Sequence, residues 1–68
     1  MAGIKRFLDQ NRSKAVNVFV KSENGWRLLN RILSISEDVV VAEETDEDGK
    51  WLTCIALDEI VTASVELE

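Results

Sequence analysis

The chain of 68 residues has no proline, no histidine and no tyrosine, one cysteine and three glycines. Each of these absences removes a class of structure or chemistry. Without histidine, no side chain has an unperturbed proton exchange near neutral pH, and a zinc site of the Cys/His type cannot be built. The one thiol, Cys54, excludes a disulfide within the chain. A lone thiol with no apolar signal segment is expected in a reducing cytoplasm. The longest unbroken apolar run, Val39-Val40-Val41-Ala42, falls far short of the roughly 20 residues of a membrane span. Lack of proline leaves the edges of any sheet without one of the residues that block pairing.

What is present points to a folded domain. Apolar residues make up 46% of the chain and charged residues 31%, too apolar a composition for disorder. A chain of this size forms one domain, residues 1–68, and buries only about 60% of the surface that its unfolded form exposes. Such scaffolds lean on disulfides, a metal or oligomerisation. With the first excluded and Cys/His zinc unavailable, homo-oligomerisation is the expected support. The net charge of −5 is divided unevenly along the chain. Residues 1–31 carry seven basic groups against Asp9 and Glu23, a balance of +5, whereas residues 32–68 carry eleven acids against Lys50, a balance of −10. Charge asymmetry between halves marks either an interaction surface or two solvated faces.

Ile4, Phe7 and Leu8 fall on one stripe of a short helix spanning about residues 4–12, with Lys5, Arg6, Asp9, Gln10 and Arg12 on the other side. Gly3 is the expected N-cap. Lys5 and Arg6 sit at the positive end of the helix dipole, where an anionic partner would offset them. From Ala15 the period changes to two. Val16, Val18 and Val20 alternate with Asn17 and Phe19, which predicts a first strand. Asn24-Gly25 predicts a hairpin turn with positive φ at both residues. Trp26–Ser36 reads as a long second strand with a bend or bulge near Asn30-Arg31, where the apolar phase shifts. Val39–Glu43, Trp51–Ala56 and Ile60–Leu67 complete five strands, with a polar loop over 45–50 and a tight turn at Leu57-Asp58-Glu59. The expected fold class is mainly β: an N-terminal α-helix and a strongly bent five-stranded antiparallel small barrel over about residues 15–67.

Gly25, Leu28, Ile32, Ile35, Val39 and Val41 keep, without a gap, the spacing of the first sequence motif of the Sm/LSm/Hfq family. Over Ile4–Val65 the order of elements resembles that family. The resemblance implies a helix-capped bent barrel and a ring of about five to seven copies, closed by pairing the fourth strand of one copy with the fifth of the next. It also implies contact with single-stranded RNA. Four positions differ from the family pattern: Asn30 replaces its second glycine, Ser36 replaces its aspartate, and in Ile55-Ala56-Leu57, which stands where the second motif has Ile-Arg-Gly, Ala56 and Leu57 replace the arginine and glycine. With that arginine missing, RNA contact is expected instead through the basic helix face, at Lys5, Arg6, Arg12 and Lys14. The alternative is a structural or protein-interaction ring organised by its acidic face.

Other candidate sites are sparse. Cys54, within a strand, is expected to be a buried inert thiol. The pairs Glu37/Asp38, Glu43/Glu44 and Asp58/Glu59 are sequence neighbours at expected turns. Adjacent side chains on a strand point to opposite faces, so no acid/base pair and no enzyme activity is expected. Asp46-Glu47-Asp48-Gly49 lacks the spread of ligands of a calcium loop, and no metal, cofactor or membrane partner is expected. Trp26 and Trp51 are expected in the core or at a subunit interface.

Overall fold

The computed structural model describes residues 2–67. Helix α1 (Ala2–Gln10) precedes six strands: β1 (Val16–Val20), β2 (Gly25–Leu29), β3 (Arg31–Ile35), β4 (Val39–Asp46), β5 (Gly49–Ala56) and β6 (Ile60–Ser64). A 3-10 turn, Leu57–Glu59, joins β5 to β6. The strands form two antiparallel three-stranded sheets, ordered β2-β1-β6 and β3-β4-β5. The chain is mainly β with one N-terminal helix, as the pattern predicts. A closed five-stranded barrel is not what forms: there are six strands in two sheets, and neither sheet closes on itself.

The extra strand arises at Asn30. The expected long second strand breaks there into β2 and β3, and this one residue forms the corner between the sheets. Its N–H donates to the Glu43 carbonyl at 2.8 Å, and its side-chain Oδ1 accepts the Thr45 N–H at 2.7 Å. Asn30 keeps a negative φ, so its side chain holds the corner without left-handed backbone. A bulge follows at once: Ile32 pairs with Ala42 and Ser34 with Val41, leaving Leu33 as the extra residue. Bulges of this kind bend a strand and sharpen its twist.

The core lies between the helix and the concave sides of both sheets. Leu8 from α1, Val16, Val18 and Val20 from β1, and Leu29 from β2 are buried. They meet Ile32, Val40, Ala42 and Ile55 from the second sheet, closed at one end by Leu57 and Ile60. Ile4 and Phe7 pack against this cluster beside Leu8, which fulfils the helical stripe. The helix starts at Ala2, so Gly3 lies inside it rather than capping it. At its end Asn11 donates from Nδ2 to the Phe7 carbonyl (2.8 Å) and from N–H to that of Leu8 (3.1 Å), satisfying carbonyls that a helix end leaves open.

Two turns differ from expectation. Between β1 and β2 the turn is Lys21–Asn24, and only Asn24 takes positive φ (52°). Gly25 already belongs to β2, opposite Val20. The stretch 45–50, read as a polar loop, mostly extends β4 and β5, which pair down to Asp46 opposite Gly49 around a two-residue turn. Asp46 makes that extension possible by accepting the Asp48 N–H at 2.8 Å, an Asx turn. Gly49 has φ 144°, a region that side chains disfavour.

Candidate functional site

The four basic residues expected to meet RNA do not line one groove. Lys5 and Arg6 line one shallow groove with Asp9 and Ile35, of about 390 Å³. Among the described residues neither Lys5 nor Arg6 makes a salt bridge. Arg12 does not line that groove but is held beside it: its Nη2 donates to the Leu33 carbonyl at 2.8 Å and its Nη1 sits 3.4 Å from Asp9, one of the groove's walls. It ties the helix exit to the bulge in β3. Lys14 lies apart, beside Val65, Glu66 and Leu67. The sequence could not separate these roles, because Leu33 is brought to Arg12 only by the fold.

Arg27, counted among the basic half of the chain, is consumed by a bridge between the sheets. It donates from Nε and Nη2 to both oxygens of Glu23 (2.8 and 3.0 Å) and from Nη1 to Glu44 Oε1 at 2.7 Å. Thr53 Oγ1 donates to the same Glu44 oxygen at 2.7 Å. Glu43 and Glu44, expected at a turn, lie within β4; their side chains take opposite faces, and Glu44 turns inward. The hydrogen bonds from Arg27 hold the Glu23 carboxyl below its ordinary range, and those to Glu23 raise the guanidinium. Asp46 is likewise lowered, first by the Trp51 indole N–H (3.1 Å) and then by the Asp48 and Gly49 backbone.

These shifts give a pH dependence with a definite sign. A depressed carboxylate stabilises the fold in full above its unfolded pKa, 4.5 for glutamate and 3.8 for aspartate here. That contribution is lost as pH falls through the folded pKa. The urea midpoint should therefore hold from about pH 7 to about pH 5 and fall below about pH 4. Replacing Glu23 by glutamine and Asp46 by asparagine should flatten that acid limb. An unchanged limb would show that neither contact stabilises the fold.

The two tryptophans do not enter the core. Trp26 is 57% exposed and Trp51 49%. Trp26 stands on the outer face of β2, edge-on to Phe19 at 5.4 Å between ring centres, while Trp51 lies at the open end of β5. Cys54 is exposed rather than buried, because β5 is an edge strand and Cys54 lies on its outer face. Among the described residues no group of three or more metal-ligating side chains is assembled. Among the described residues no helix is long and apolar enough to cross a membrane.

Among the described residues the two sheets have four edge strands, β2, β3, β5 and β6, and on two of them, β5 and β6, the hydrogen bonding shows which residues face outward. On β4 the Val39 and Glu43 carbonyls and the Thr45 N–H bond on the β3 side. Backbone groups alternate in direction along an antiparallel strand, so Lys50, Leu52, Cys54 and Ala56 turn their N–H and C=O away from β4. On β1, Lys21 N–H donates to the Glu59 carbonyl at 2.9 Å. The same alternation then sets Thr62 and Ser64, opposite Phe19 and Asn17, to bond β1, leaving the Ala63 N–H outward. Each of these two edges carries an uncovered aliphatic side chain, Leu52 at 73% and Val61 at 56% exposure. No family model, curated protein or solved structure matches this chain.

Proposed function

We propose that this chain is a non-catalytic assembly module, an Sm-like small barrel completed only between copies, in which β5 of one copy pairs with β6 of the next. The observation that carries the reading is the pair of edges on β5 and β6, each with an exposed aliphatic residue and neither with a proline. An open edge of this kind is a template for pairing, and joining it to a second one satisfies both. Repeated head to tail, such a contact closes into a ring when the rotation per copy allows. The resemblance to the Sm/LSm/Hfq family implies about five to seven copies. The amides of Leu52, Cys54 and Ala63 should be protected from hydrogen exchange at high protein concentration and unprotected on dilution. Protection that does not depend on concentration would refute intermolecular pairing.

Within that reading, the helix side of the ring contacts single-stranded RNA through Lys5 and Arg6. These two share a groove and carry no ion-pair partner among the described residues. Arg12 and Lys14 drop to secondary roles, the first because Asp9 and Leu33 already hold it. Replacing Lys5 and Arg6 by glutamate should weaken binding to a single-stranded RNA and lower the salt slope by about 0.7 per lost contact. Removing the charges of Glu47 and Asp48 should leave the slope unchanged. If the unmodified protein binds no RNA at low salt, where phosphate attraction is greatest, the ring serves proteins alone.

A further inference from the structure

The corner at Asn30 also creates a fork. Thr45 gives its N–H to the Asn30 side chain instead of pairing with β2, and beyond that point the β4–β5 hairpin leaves β2 behind. The space between them is a groove of about 410 Å³ whose walls include Trp26, Leu28 and Trp51. Leu28 is 43% exposed. Because Gly25, Arg27 and Leu29 bond to β1 by the antiparallel alternation, Trp26 and Leu28 direct their N–H and C=O toward this fork. Arg27 and Glu44 also line the groove but are paired with each other; the negative charge left at the rim is that of Asp46, with Glu47 and Asp48 in the adjoining turn.

Apolar walls, an open strand edge and a negative rim fit one kind of occupant. We infer that the groove binds an extended segment of a partner protein in which lysine or arginine alternates with aliphatic residues. Such a segment adds to the edge of β2 through the peptide groups of Trp26 and Leu28. Its period of two sends aliphatic side chains against the tryptophan rings and cationic ones toward Asp46 and the turn. Backbone pairing supplies affinity and the alternating side chains supply selectivity, as in other strand-addition complexes. A nucleic-acid strand could stack on the same rings, but its phosphates would meet the unpaired carboxylates of Asp46, Glu47 and Asp48 and be repelled. The inference is independent of ring closure, since the fork lies within one copy and uses neither β5's nor β6's free edge.

The test uses the full chain and an acetylated Lys-Val-Lys-Val-Lys-Val-Lys peptide, followed by NMR. The peptide should shift the amides of Trp26 and Leu28 and both indole N–H signals, with affinity that falls as salt rises. A Glu-Val peptide of the same length should not bind. Leu28→Ala and Trp51→Ala should each weaken binding about tenfold, as truncation of an interface anchor does, with circular dichroism confirming the fold. Leu28→Ala leaves the Trp51–Asp46 hydrogen bond in place, so it reads the groove alone. Asp46→Asn should weaken binding and reduce its salt dependence. The inference is overturned if the Lys-Val peptide does not bind at low salt, or if the Glu-Val peptide binds equally. It is overturned as well if the shifts fall on Leu52, Cys54 or Ala63, or if an oligouridylate moves the groove signals in the peptide's place.

Discussion

Leu29→Ala should leave little folded protein at room temperature. The side chain is fully buried at the end of β2, opposite Val16 and next to the corner residue Asn30. Removing a buried leucine side chain costs about 2–5 kcal/mol, the larger values where the surroundings cannot collapse into the space. Collapse is hindered here because Asn30 is pinned on both its backbone and its side chain. A domain of this length has a total stability of only about 3–10 kcal/mol, so the change takes a large share of it or all. Chemical denaturation followed by tryptophan fluorescence measures the loss. Leu67→Ala, at an exposed position beyond β6, is the control and should change stability by less than about 0.5 kcal/mol. A Leu29→Ala protein as stable as the parent would contradict the core assigned to the two sheets.

The second large effect concerns assembly. Ala63→Pro removes the N–H that faces away from β1, so the contacts of β6 within its own copy are kept. Proline is tolerated on an edge strand when the missing donor faces outward. The expected result is a folded chain that no longer associates. Thr62→Pro, one residue earlier, removes a donor turned to β1 and should damage the fold itself. The two substitutions thus separate what holds a copy together from what joins copies. An Ala63→Pro protein that is folded and still fully assembled would place the interface elsewhere.

Much of the architecture was legible because it rests on local periodicity. Ile4, Phe7 and Leu8 announce the helix stripe, Val16, Val18 and Val20 the inward face of β1, and the phase shift near Asn30 the corner. The failures share a cause in tertiary context. The acidic run at 46–48 looks like loop, yet Asp46 folds its own side chain onto the turn and lets β4 and β5 pair further. The size of Trp26 and Trp51 points to the core or to a subunit interface; the core is excluded, because the chain turns at Asn30 and leaves both exposed at the fork. Cys54 lies on the outward face of an edge strand, which no strand-internal pattern distinguishes from a central one.

The candidate site was legible in part for the same reason. Lys5 and Arg6 are adjacent on one helix, so their shared groove follows from sequence alone. Arg12 and Arg27 look equally free in sequence, yet both are held by residues distant along the chain, Leu33 and Glu44. Both guanidinium groups stay at the surface but are tied to carboxylates, Arg12 to Asp9 and Arg27 to Glu23 and Glu44.

In the proposed assembly, copies of this chain pair through β5 and β6. Light scattering coupled to size exclusion, at micromolar concentration and moderate salt, tests it most directly. The account predicts one species of about 39–54 kDa, five to seven copies of the 7.7-kDa chain, shifting to monomer in Ala63→Pro. A stable folded monomer at that concentration would contradict it.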